Sequence, residues 1–68
     1  MRLISIKIRN KVVSALNAEK VSFIALEGTA VKVIIDGQNM VFNHPSVEDA
    51  ERQFDNLFKV MLDINKGL

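Results

Sequence analysis

The sequence predicts an α+β fold. An antiparallel sheet of four to five strands, flat or curled into a partial barrel, comes first, and one long C-terminal helix follows. Three observations predict it. Apolar and polar residues alternate near the start of the chain, Asp36–Gly37 separates two short apolar runs, and from residue 47 the apolar spacing changes to threes and fours. The first two mark half-buried strands and a tight hairpin, the third an amphipathic helix. The 68 residues make one small domain, with strands within 2–43 and the helix over about 47–66.

Each element has its own reason. "RLISIKIR" sets Ile4, Ile6 and Ile8 on one face and Ser5, Lys7 and Arg9 on the other, the period of a strand with one face on a core. "RNK" (Arg9 to Lys11) can turn the chain, because Asn accepts positive φ. Val12 to Leu16 begins β-branched and reads as a second strand. Asn17 to Lys20 fits one helical turn or a loop. Val21 to Glu27 reads as a third strand, apolar on both faces, with Val21, Phe23 and Ala25 on one and Ile24 and Leu26 on the other. "AVKVIID" and "NMVFN" flank Gly37, and Asp-Gly suits a type I′ turn, whose central residues both need positive φ. Val31, Val33 and Ile35 share a face, as do Met40 and Phe42.

"NHPSVEDAE" (Asn43 to Glu51) opens the helix. Pro45 keeps the residue before it out of the helical region. Ser46 stands at the N-cap, and Asp49, three residues on, completes a capping box with Asp in place of Glu. Val47, Ala50, Phe54, Leu57, Phe58, Met61 and Ile64 then form the apolar stripe, roughly 30 Å long at 1.5 Å per residue. Acids load the first turns, Lys59 and Lys66 follow later, and Gly67 is the expected C-terminal cap.

One helix covers only one face of a sheet, yet the third and fourth strands carry apolar residues on both, through Ile24, Leu26 and Ile34. Val60 and Leu62 fall off the helix stripe and make its last turns apolar nearly all round. These five residues are the expected interface of a homo-oligomer. A core this small supplies only about 3–5 kcal/mol, and with no Cys in the chain disulfides cannot add to it. Association is the expected substitute.

The composition also narrows the chemistry. One His and no Cys leave no zinc or iron ligand set, so no metal and no cofactor is expected. His44, Ser46 and Asp49 are catalytic residue types in one place. A catalytic triad, however, converges from separated segments, whereas these three residues are explained by the strand-to-helix junction. The three glycines are single turn breakers and form no phosphate loop. No catalytic residue is assigned, and the expectation is that the protein is not an enzyme.

Charge is unevenly placed. In residues 1–20, Arg2, Lys7, Arg9, Lys11 and Lys20 oppose Glu19 alone, a balance of +4, while residues 21–68 balance to −3. If the first strand continues, Lys7, Arg9 and Lys11 share a face. These three, with His44 at the helix start, are the candidate residues for an anionic ligand such as a nucleotide or nucleic acid. The chain has four Phe and no Trp or Tyr, and with the Phe in strands and on the helix stripe it offers no stacking platform. The plainer reading of the basic residues is a solvated strand face, where lysine discourages edge-to-edge aggregation.

The N-terminus alternates instead of presenting the apolar core of a signal peptide, and no apolar stretch nears the ~20 residues of a membrane span. A cytoplasmic setting without membrane contact is the default expectation.

Over residues 16–60 the succession "LNAEKV" with Ile24 after it, "VKVIIDGQNMVF" and "PSVEDAERQF" resembles the small FlbD-type flagellar and swarming-motility proteins. The resemblance covers about two thirds of the chain. The strand at residues 2–8 is an addition, and "NHPS" stands where a Lys-Glu-Ser junction is usual. It implies a cytoplasmic, non-enzymatic accessory protein and transfers no functional residue. The expected function is therefore a non-catalytic protein–protein interaction or regulatory, inhibitory module. It would act as a homo-oligomer on an unidentified protein partner, with anionic-ligand binding or sequestering through the basic first strand as the alternative.

Overall fold

The computed structural model describes residues 2–66. Five strands and one helix follow the order β1 (Leu3–Ile8), β2 (Lys11–Asn17), a 3₁₀ turn (Ala18–Lys20), β3 (Val21–Glu27), β4 (Ala30–Ile35), β5 (Gln38–Asn43) and α1 (Val47–Lys66). The fold is α+β, as expected, but the single sheet and the partial barrel are not found. The strands form two antiparallel sheets, β1–β2 and β3–β4–β5. Two features separate them. The 3₁₀ turn, capped by Asn17 Oδ1 accepting from the Glu19 N–H at 3.1 Å, turns β3 out of line with β2. The other edge of β1 is taken by a side chain of α1.

That side chain is Gln53. Its Oε1 accepts from the Lys7 N–H at 3.0 Å, and its Nε2 donates to the Ser5 carbonyl at 3.4 Å. A residue of a parallel strand would bond this same pair of backbone groups. Gln53 is only 7% exposed, so the two hydrogen bonds offset the cost of burying its amide.

The core lies between α1 and both sheets. Ile4, Ile6 and Leu16 from β1–β2, Ala18, Val21, Val31 and Val33 from the middle of the chain, and Ala50 and Leu57 from α1 are buried. The bounds of α1 match the expected 47–66 at every described position; Gly67 lies outside the described residues. The expected stripe is turned, however. Val47 and Phe58 are half exposed, while Gln53 is buried and Val60 packs against the core. The helix therefore faces inward through 50, 53, 54, 57, 60, 61 and 64.

The three hairpins close as their residues dictate. Arg9 and Asn10 both have positive φ, 54° and 62°, as do Asp36 and Gly37 at 51° and 79°, the type I′ pattern. At Gly28–Thr29 only the glycine is positive, with φ 58°. Two strands are bulged. Val13 has no partner between Ile6 and Lys7 of β1, and Ser22 has none in β4, its Oγ donating instead to the Ile34 carbonyl at 3.4 Å. The bulge at Ser22 corrects the expected faces of β3. Val21 joins Ile24 and Leu26 against the core, while Phe23 and Ala25, paired with Ile34 and Lys32, lie on the outer face. No helix of the described residues is long and apolar enough to cross a membrane.

Candidate functional site

Three grooves border α1; one of 340 Å³ runs along β1 between Leu3, Ser5 and Lys7 and the helix residues Gln53, Asn56 and Val60, and the other two differ most in chemistry. The polar one lies between α1 and the tip of the β1–β2 hairpin. It has a volume of 460 Å³ and is lined by Lys7, Arg9, Asn10, Asp49, Arg52, Gln53, Asp55, Asn56 and Lys59. The Gln53 bond to Lys7 N–H fixes the strand wall of this groove, and the I′ turn brings Arg9 to its end. On the helix wall, Arg52 lies 3.5 Å from Asp49 and Lys59 lies 3.0 Å from Asp55. These pairs are exposed, so each contributes little stability. Lys7 and Arg9 have no ion-pair partner among the described residues. The groove thus sets four cations against two acids, and no aromatic ring lines it on which a base could stack.

The apolar groove lies on the opposite flank, between α1 and β3. It measures 180 Å³ and is lined by Ser22, Phe23, Ile24, Phe58, Met61, Leu62 and Asn65. Phe58 stacks on Phe54 with ring centroids 6.3 Å apart. The groove runs onto the outer face of the three-stranded sheet through Phe23. There Phe23 is 52% and Val41 50% exposed, and along the groove Phe58 is 46% and Leu62 40% exposed. This side of the molecule is open because α1, the only α-helix among the described residues, packs on the inner face.

The expected ligand-binding set is divided. Lys7 and Arg9 meet in the polar groove. Lys11 does not line it, because the turn at Arg9–Asn10 ends β1 at Ile8 and the three basic residues never share one strand face. His44 is buried and lines none of the grooves. Its backbone N–H donates to the Thr29 carbonyl at 2.8 Å, and its Nε2 has no hydrogen-bond partner among the described residues.

The expected interface is divided too. Ile24, Leu26 and Val60 pack against the core, Ile34 is half-buried on the outer face of the sheet, and Leu62 lines the apolar groove. The residues that sequence reasoning missed are Arg52 and Lys59, Phe23 and Val41, and Gln53. A signal for Gln53 did exist, since 50, 53, 57 and 60 repeat at helical spacing, but a polar residue is not counted in an apolar stripe.

Ser46 caps the helix as expected: its Oγ accepts from the Asp49 N–H at 3.2 Å. The reciprocal half of the capping box is missing, because the Asp49 carboxylate is turned to Arg52 at 3.5 Å. No hydrogen bond joins His44 to Ser46 or Asp49 among the described residues. No group of three or more His, Cys, Asp or Glu side chains that could hold a metal ion occurs among the described residues. No protein-family model, curated protein or solved structure matches the chain.

Proposed function

We propose that this protein is a non-catalytic interaction module, regulatory or inhibitory, that acts as a homo-oligomer in a cytoplasmic setting. One observation carries the reading: Phe23, Val41, Phe58 and Leu62, each at least 40% exposed, lie on the outer face of the three-stranded sheet and in the groove that runs onto it. Exposed apolar surface gathered in this way marks an interaction site more often than singly scattered residues do. The likeness of residues 16–60 to FlbD-type accessory proteins agrees with this. Light scattering coupled to size exclusion tests it. A mass that rises above that of the monomer with concentration is expected, and a strict monomer at millimolar concentration defeats the homo-oligomer.

A second reading has its own observation, the four cations of the polar groove. A ligand carrying at least two negative charges and no need for stacking, such as a phosphate-rich chain, suits that wall. Titration calorimetry with inorganic polyphosphate, repeated with Lys7→Glu/Arg9→Glu, distinguishes it. Binding that the double variant abolishes supports the groove; equal heats for both proteins remove it.

A further inference from the structure

We infer that β5 pairs antiparallel with β5 of a second copy, joining the two three-stranded sheets into one of six strands; this rests on the homo-oligomer reading above. Two sheets leave four free strand edges, and three are obstructed. Gln53 blocks that of β1 at its middle by bonding the Ser5 carbonyl and the Lys7 N–H, and bulges at Val13 and Ser22 interrupt those of β2 and β3, a common defence against added strands. Only β5 runs in unbroken register along its partner, from Ala30↔Asn43 to Ile35↔Gln38. It also carries no charged residue, the other usual guard of an edge.

The hydrogen-bonding groups on that edge follow from the turn. Ile35 and Gln38 flank the two-residue turn at Asp36–Gly37 and exchange both their backbone bonds. The antiparallel alternation then points Met40 and Phe42 toward β4 and leaves the N–H and C=O of Asn39, Val41 and Asn43 facing outward. The inward bond from His44 N–H to the Thr29 carbonyl keeps this alternation.

The sequence of the strand is complementary to itself. With a two-fold axis at Val41, an outward-facing residue, Val41 opposes its own copy, Asn39 opposes Asn43 and Met40 opposes Phe42. Like meets like in polarity at every pair, and no two like charges are brought together. The two Asn–Asn pairs flank Val41 on the outer face. On the inner face Met40 and Phe42 are half-buried, since α1 packs chiefly over β3 and β4; pairing supplies each with an apolar neighbour across the axis. An isologous contact of this kind closes as a dimer.

Sedimentation equilibrium on the full chain, with Val41→Lys and Val41→Glu, tests this. The wild type is expected to reach twice its 7.6 kDa monomer mass at high concentration. Each variant, setting like charges on the axis, is expected to stay monomeric, and an equimolar mixture of the two should restore the dimer mass. That restoration also shows the variants to be folded. In the wild type, amide exchange at Asn39, Val41 and Asn43 should slow as concentration rises. A wild-type dimer that both variants retain, and that Leu62→Glu dissociates, overturns the β5 pairing while leaving the homo-oligomer intact. A mixture that remains monomeric also overturns it. A wild type monomeric at every concentration overturns both.

Discussion

The two sheets solve the same problem in opposite ways. An isolated two-stranded hairpin is marginal in water, and β1–β2 is one. It is held by Ile4, Ile6 and Leu16 in the common core and by one side-chain amide that stands in for a third strand. The β3–β4–β5 sheet has its third strand in the chain itself, with Val31 and Val33 fully buried at its centre. The first sheet therefore depends on α1 for its edge as well as its face, the second for its face alone. Where backbone pairing is missing, a buried polar side chain can complete a sheet, but only from an element fixed in position by packing.

Substitutions separate the two sheets, the largest effect coming from the shared core. Leu57 is fully buried on the inward face of α1, the helix that contacts both sheets. Leu57→Ala should cost about 2–5 kcal/mol, comparable with the whole stability of so small a domain, and chemical denaturation should show both sheets lost together. A variant that keeps one sheet folded would show that they do not share a core. Gln53→Leu is next. It leaves the Lys7 N–H and the Ser5 carbonyl unpaired, at about 1–3 kcal/mol. Amide exchange should quicken at Lys7 while the Val31 and Val33 amides stay protected; equal acceleration in both sheets would refute the dependence described above. The smallest effect concerns the turns. Arg9–Asn10 and Asp36–Gly37 adopt the same positive-φ geometry, but only the second has a glycine where an L side chain is strained. Asn10→Gly should stabilise the fold slightly, by about a few tenths of a kcal/mol after the added unfolded-state entropy, seen as a small rise in the thermal midpoint. A lower midpoint would mean that Asn10 does more than turn the chain.

Much of this was legible in the sequence, for local reasons. The β3 run, the Asp36–Gly37 turn and the bounds of α1 each depend on residues within a few positions, and Ser46 caps the helix as its spacing implies; Asn17 to Lys20 fitted a helical turn and a loop alike, and the helical turn is the one that forms. The division into two sheets was not legible, because the contact that closes the β1 edge joins residues 46 apart and runs from a side chain to backbone. The faces of β3 were misplaced for a related reason: a bulge at Ser22 shifts the alternation, and serine carries no apolar signal to reveal it. Lys7, Arg9 and Lys11 looked like one stripe only if the strand continued. The turn that parts them was itself readable from "RNK", so two local signals competed and the turn prevailed.

Gln53 has one further consequence, for how the chain tolerates changes of length. A helix advances about 100° per residue, so one residue inserted between Ser46 and Gln53 would swing either the amide or the helix start out of place. The β1 edge admits no compensating slip, since moving the strand by one residue would turn Ile4 and Ile6 outward. Helix and strand are thus geared to each other at a single tooth. An alanine inserted after Glu51 should therefore unfold the β1–β2 hairpin by amide exchange, whereas one inserted after Asp63, beyond the gearing, should leave the Lys7 amide protected.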